Sequence, residues 1–178
     1  DGFDVLDRMR TNPNTLAVPV VILTSKVLNL DDIKRIERHT RVLLQSKGVL
    51  ADEEIITALH CYLFGTESLP PQTSKLVKRA VAYMHQNYTR PLKRWEVAEA
   101  VGASENYFSR VFNQELGLTP WDYLNRFRVN QAKELFRRTG DNVKCVASQV
   151  GFKDPKYFSR VFSKLTGHSP SEFRDRPN

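Results

Sequence analysis

Two arginines fifty residues apart, Arg110 and Arg160, occupy the same place in one hexapeptide: YFSRVF occurs at 107–112 and again, letter for letter, at 157–162. On a helix, Phe108, Val111, Phe112 and Leu116 form an apolar stripe in the first copy, and Phe158, Val161, Phe162 and Leu165 in the second. The opposite face then carries Glu105, Asn106, Ser109, Arg110 and Asn113, and in the second copy Lys156, Ser159, Arg160 and Ser163. Such a face does its chemistry by hydrogen bonding from fixed positions. Guanidinium forks, amides and hydroxyls match the edges of base pairs and the oxygens of phosphates.

No enzyme motif accompanies these faces. His39, His60, His85 and His168 are scattered, with no HExxH and no acid partner at ligand spacing, and most of them read as surface or helix-end residues. There is no P-loop and no GxSxG. Asp31 and Asp32 are followed at once by Lys34 and Arg35, the pattern of a capped helix start rather than of acid–base chemistry. Cys61 and Cys145 lie 84 positions apart with no CxxC pair, against a disulfide framework or a thiolate zinc site. No catalytic residue, metal or cofactor is expected, and a reducing cytoplasm fits best.

The elements that must position the two faces also recur. After each hexapeptide come a glycine (Gly117, Gly167) and a proline (Pro120, Pro170) at an offset of 50; before each lies AxxVG, Ala98 to Gly102 and Ala147 to Gly151, at an offset of 49. One residue has been inserted in the second turn. This is the grammar of a helix-turn-helix: a small residue where the helices cross, a glycine four positions later for a left-handed turn, and an apolar residue beyond it to hold the second helix. Ser104 is placed to cap the first outward helix; Asp154 and Pro155 supply a cap and an N1 proline to the other. Between the units a long helix is expected, capped by Thr119, begun by Pro120, following Leu124, Phe127, Gln131 and Leu135 along one face, and stopped by Gly140. Ser74 to Tyr88 reads as a further amphipathic helix with Leu76, Ala80, Val81, Met84 and Tyr88 inward.

Charge separates this part from what precedes it. Residues 1–72 carry eight basic and ten acidic side chains and residues 73–178 nineteen and ten, so the whole excess of +7 lies in the second part. A folded basic segment of this size faces a polyanion, most often nucleic acid; a basic surface kept for solubility would give the same balance. The boundary falls at GTESLPPQT, 65–73, where both periodicities break. No apolar run is long enough to span a bilayer, so no membrane contact is expected. The chain opens on Asp1 without a signal-peptide pattern and reads as an excised piece of something longer.

Residues 74–178 resemble the DNA-binding domain of the AraC/XylS family of bacterial transcription regulators. The resemblance rests on Tyr123-Leu124, Arg128, Ala132 and Leu135-Phe136 in the linker helix, then Gly151-Phe152, Tyr157 to Phe162, Gly167, and Ser169-Pro170 to Phe173-Arg174. It implies a seven-helix domain whose two recognition helices enter successive major-groove segments of promoter DNA, with RNA polymerase as a partner. Carried over by position, the base-contact candidates are Asn106, Ser109 and Arg110 in the first unit, and Pro155, Lys156, Ser159 and Arg160 in the second. Pro155 departs from the polar residues common there, which leaves it only an apolar contact or a role in shaping the helix entry.

The first 64 residues read as a helix from Phe3 to Arg10, a strand within Val18 to Thr24, a helix from Asp31 to about His39, a strand from Val42 to Gln45, and a helix from Asp52 to Phe64. After the opening helix, the βαβα order is half of a parallel sheet. The segment resembles the C-terminal half of a two-component receiver domain, which implies that Thr24 is the switch threonine and Lys47 the lysine that contacts the phosphoryl group. Gly48 stands where a proline is usual, and the strands preceding this half, with the phosphoacceptor aspartate, are not in the sequence. An unrelated small α/β module accounts for the same pattern. Two strands leave apolar faces and an edge to be covered, a need expected to be met either by self-association of residues 1–64 as a homodimer or by local disorder of that part while the basic domain stays folded.

The expected architecture is mostly α: an AraC-type domain (74–178) of two helix-turn-helix units joined by a long linker helix, after a linker (65–73) and a partial α/β segment (1–64). The expected function is a sequence-specific DNA-binding transcription regulator, the output end of a two-component-type signalling protein. The other reading is a protein-interaction module that docks through the receiver remnant, with DNA binding secondary.

Overall fold

The computed structural model of the chain describes residues 2–39, 42–46, 48–49, 56 and 73–175. The N-terminal part holds α1 (Gly2–Thr11), β1 (Val20–Thr24), α2 (Leu30–Glu37) and β2 (Val42–Ser46). Seven helices follow: α3 (Lys75–Asn87), α4 (Arg94–Ala100), α5 (Glu105–Leu116), α6 (Pro120–Arg138), α7 (Val143–Gln149), α8 (Pro155–Thr166) and α9 (Pro170–Arg174). The architecture is mostly α with a small α/β portion. The helix expected over 52–64 lies outside the described residues, apart from Ile56.

The two strands pair in parallel, with Val20 opposite Val42 and Thr24 opposite Ser46, and α2 is the crossover that a parallel pair requires. The Asp31-Asp32 pair opens α2 as the sequence reading expects. Asn29 accepts from the Asp32 backbone at 2.8 Å, Asp32 accepts in return from the Asn29 backbone at 3.1 Å, and its other oxygen takes Lys26 Nζ at 2.7 Å. Arg35 of α2 and His39, just beyond its end, both reach Asp7 of α1, at 2.6 Å each.

Burial divides the chain elsewhere than its charge does. Leu28, Ile33, Ile36, Val42, Leu44 and Val49 of the N-terminal part share one core with Val77, Ala80, Val81 and Met84 of α3 and with Phe108, Phe112, Tyr123 and Phe127. A second core gathers Val129, Ala132, Phe136, Val146, Phe152, Phe158 and Phe162. The border lies inside α6, so the linker helix serves both cores. Thr73, assigned by sequence to the linker, is buried, and its hydroxyl accepts from the Leu44 backbone at 3.3 Å.

Four details differ from the sequence reading. Gly140 does not stop α6: Thr139 leaves the helical region first, its backbone and hydroxyl both bonded to the Leu135 carbonyl, and Gly140 has no left-handed backbone. Leu165 is not in the stripe of α8 but exposed, because the residue aligned with Leu116 is Thr166, whose hydroxyl turns back to the Phe162 and His168 carbonyls. His85 is buried rather than at the surface. Lys78, which an amphipathic reading puts outward, is only 1% exposed on α3; burial lowers its pKa, while the charges of Glu37 and Glu115 oppose that shift.

Candidate nucleic-acid interface

Each unit is built around the same backbone turn. In the first, Gly102 (φ 69°) donates to the Glu99 carbonyl at 2.9 Å and Ala103 to the Ala98 carbonyl at 3.0 Å. In the second, Gly151 (φ 87°) donates to Ser148 at 3.0 Å and Phe152 to Ala147 at 2.9 Å. A positive φ is where glycine is at home, and the inserted residue of the second copy comes after this shared turn. Ala98 and Ala147 are buried where the helices cross.

The outward helices α5 and α8 start at side-chain caps. Ser104 accepts from the Tyr107 backbone at 3.4 Å, and Asp154 from the Lys156 backbone at 2.9 Å, with Pro155 in the first turn. Each helix is seated by a phenylalanine pair, Phe108–Phe112 and Phe158–Phe162, both with centroids 5.5 Å apart. Each pair is closed by an aromatic ring from the next helix: Tyr123 at 5.5 Å from Phe112, and Phe173 at 5.5 Å from Phe162. Thr119 and Ser169 cap those closing helices, Pro120 and Pro170 follow, and both prolines are buried. The repeat therefore extends through residue 173.

With the apolar faces buried, Asn106, Arg110, Lys156 and Arg160 stand exposed, as their spacing predicts. Ser109, Ser159 and Pro155 are half-buried, and the Ser159 hydroxyl donates to the Pro155 carbonyl at 3.0 Å. Beside α5 opens a cavity of about 580 Å³ lined by Arg94, Ser109, Arg110, Thr119 and Trp121, where two guanidinium groups meet the positive end of the 19-residue α6. Beside α8 a cavity of about 340 Å³ is lined by Lys144, Ser148, Lys153 and Pro155. Both recesses have the chemistry that phosphate oxygens require. Arg94, Lys144 and Lys153 escape the sequence reading, whose only handle on them is the basic balance of the domain.

The two units are joined by one buried arginine. Arg128, on α6, donates from Nε to the Tyr88 carbonyl at 2.9 Å and from Nη2 to the Arg90 carbonyl at 2.7 Å, while its guanidinium lies 5.5 Å from the Phe152 ring. It thus links the end of α3, in the first unit, to the turn of the second. Burial pulls its pKa down to about 10, so it is still charged at neutral pH. The apolar spacing that marks α6 gives Arg128 no role.

In the N-terminal part, Thr24 ends β1, and its hydroxyl accepts from the Lys26 backbone at 3.0 Å. Lys47 lies outside the described residues. Among the described residues no group of three His, Cys, Asp or Glu side chains could hold a metal, and no helix is long and apolar enough to cross a membrane. Cys145 is a free, exposed thiol.

The family model described as a helix-turn-helix domain matches residues 97–176. The C-terminal domain of AraT, a response regulator from Geobacillus stearothermophilus, superposes with a TM-score of 0.56 at 33% identity, over 58% of this chain and 87% of that one. The chain carries an AraC-type helix-turn-helix DNA-binding domain over the matched residues. The arabinose operon regulatory protein of Escherichia coli is 38% identical over 109 residues, 61% of this chain, and the chain spans 37% of that relative's length. The DNA-binding domain of AdpA, solved in complex with a target DNA, shares 26% identity and a TM-score of 0.53 over 55% of this chain and 88% of that one. The AraC-type domain lies in the basic, C-terminal part, where α4–α5 and α7–α8 form the two helix-turn-helix units and α6 runs between them.

Proposed function

We propose that this chain is a sequence-specific transcription regulator that reads one asymmetric promoter site through both helix-turn-helix units. The observation that carries the reading is the duplicated outward face: Arg110 and Arg160 stand exposed at matching positions of two identically seated helices, within a domain that holds the whole positive excess. Asn106 and Lys156 extend those faces, Ser109 and Ser159 flank them, and Pro155 shapes the entry of α8. The relative solved with its target DNA has the same fold.

Arginine is the commonest bidentate partner of guanine, so each of Arg110→Ala and Arg160→Ala is expected to cost about 1 to 3 kcal/mol against the cognate duplex and to relax preference at one position. Titrations against the cognate duplex and a scrambled one test this. Equal losses on both would reduce the arginines to phosphate contacts and refute base reading.

Both units act from one rod. Leu124→Pro breaks α6 near its start and is expected to remove one of two protected major-groove segments, spaced about one helical turn or roughly 34 Å apart, from a footprint. An unchanged footprint would show that the units bind without their shared helix.

The N-terminal part is, on this reading, half of a receiver domain, with Thr24 and Lys47 at its switch positions and RNA polymerase as the partner of the output domain at promoters. Support comes from the parallel β1–β2 pair with its α2 crossover and from the response regulator among the similar structures. Val5 and Leu23, 58% and 39% exposed, are the apolar surface through which self-association would run.

A further inference from the structure

The two recognition helices each expose a tyrosine that the core does not need. Tyr107 is 49% and Tyr157 39% exposed, although each stands beside phenylalanines of the same helix, Phe108 and Phe112 or Phe158 and Phe162, that are fully buried. In both, an arginine three residues on lies over the tyrosine ring: Arg110 is 5.6 Å from the Tyr107 centroid, and Arg160 is 5.3 Å from that of Tyr157. Residues three apart are neighbours on a helix, and a guanidinium within about 6 Å of a ring centroid is attracted by the negative ring face. A free arginine side chain samples many rotamers, so a ring that restricts it in advance removes part of the ordering that binding would otherwise demand.

The second copy is braced further. The Tyr157 hydroxyl accepts from Asn125 Nδ2 at 3.3 Å, and its ring lies 5.9 Å from that of Phe152. Asn125 belongs to the linker helix and Phe152 to the turn of the second unit. The direction of Arg160 is therefore referred, through Tyr157, to the two elements that place α8.

We propose that Tyr107 and Tyr157 are positioning residues that hold Arg110 and Arg160 in the direction from which each reads its base pair, so that base discrimination depends on tyrosines that touch no base. The inference rests on the base-reading role of the arginines argued above. The ring is what positions, so phenylalanine replaces tyrosine and an aliphatic side chain does not. Tyr157→Phe loses the Asn125 bond but keeps both ring contacts, and its effect falls between those of the unchanged residue and of Tyr157→Leu.

The test uses the full chain and a duplex selected by it from a random library, with dissociation constants for that duplex and for each of its single-base-pair variants at one salt concentration. Tyr107→Leu and Tyr157→Leu are expected to lower discrimination by roughly 2- to 5-fold, the range a surface cation–π contact supplies, at the base pair that Arg110→Ala or Arg160→Ala respectively flattens. Tyr107→Phe is expected to keep it, and the Tyr107→Leu/Arg110→Ala pair to lose no more than Arg110→Ala alone. Discrimination unchanged in both leucine variants, or affinity lowered equally on every duplex, would overturn the inference while the arginines keep their role. If Arg110→Ala and Arg160→Ala themselves leave discrimination intact, base reading fails and the inference falls with it.

Discussion

Gly151→Ala is expected to lower the unfolding free energy by about 3 to 5 kcal/mol and to abolish DNA binding by the second unit, whereas Gly102→Ala, at the matching position of the first, should cost only about 1 to 2. Both glycines have positive φ, 87° and 69°, so alanine is strained at either. The surroundings differ. A Cβ at Gly102 meets nothing within 4 Å; at Gly151 it overlaps the Tyr88 carbonyl oxygen and lies 2.9 Å from Arg128 Nη2 and 3.0 Å from the Thr89 carbonyl carbon. Two of these three atoms are backbone and cannot swing aside, and the third belongs to the guanidinium that ties the units together. Denaturant unfolding of the two variants side by side measures the difference. Equal costs would mean that the close approach at Gly151 relaxes freely and that the junction is soft.

The second large effect is acid sensitivity centred on His85. Its Nδ1 accepts from the Leu28 backbone at 3.2 Å, so in the neutral ring the proton is on Nε2, which donates to the Tyr123 hydroxyl at 3.0 Å. The ring also stacks on Phe127 at 3.8 Å. Protonating Nδ1 would set one N–H against another in a buried site, and burial lowers the pKa to about 3. A histidine with a depressed folded-state pKa binds its proton in the unfolded chain first. Stability is therefore intact above about pH 6.5 and falls as pH drops toward 3, by roughly 2 to 3 kcal/mol at pH 4.5. His85→Gln, which does not titrate, is expected to be less stable at pH 7 but to lose that much less between pH 7 and 4.5. Parallel pH profiles for the two proteins would exclude His85 as the source. The sensitivity reaches both parts of the chain, because Leu28 belongs to the N-terminal part and Tyr123 to the linker helix.

What could be read in advance, and what could not, follows from the range of the interactions. Caps at Ser104, Thr119, Asp154 and Ser169 are local: a side chain bonds to a backbone two or three residues on, and the residue types announce it. The glycine turns and phenylalanine stripes are equally local, and the exact repeat made them stand out. Arg128 and His85 are long-range. Their backbone partners lie 38, 40 and 57 residues away, and a carbonyl or an amide has no residue type to recognise. Helical spacing assigns a charged or titratable residue to the surface by default, and fails where a buried backbone group needs exactly that donor or acceptor. Leu165 fails the opposite way: apolarity alone put it inside, although the shorter interval from Phe162 turns it outward, and Thr166 holds the inner place. The outward arginines were legible because an exposed position needs no partner, but their tyrosine supports were not, since aromatic residues are assigned to cores.

The correspondence of Thr119-Pro120-Tyr123 with Ser169-Pro170-Phe173 bears on how such a domain is assembled. The linker helix begins as the closing helix of the first unit, and α9 is the same closing helix in the second; one runs for 19 residues and the other for 5. A single module of two crossed helices and a short lid is thus written twice, and the added length of the first lid is the scaffold on which the second module sits. Lengthening a lid is a small change in a gene. It converts a one-reader protein into a two-reader protein without altering either reader, and the same step repeated beyond Arg174 would give an engineer the platform for a third.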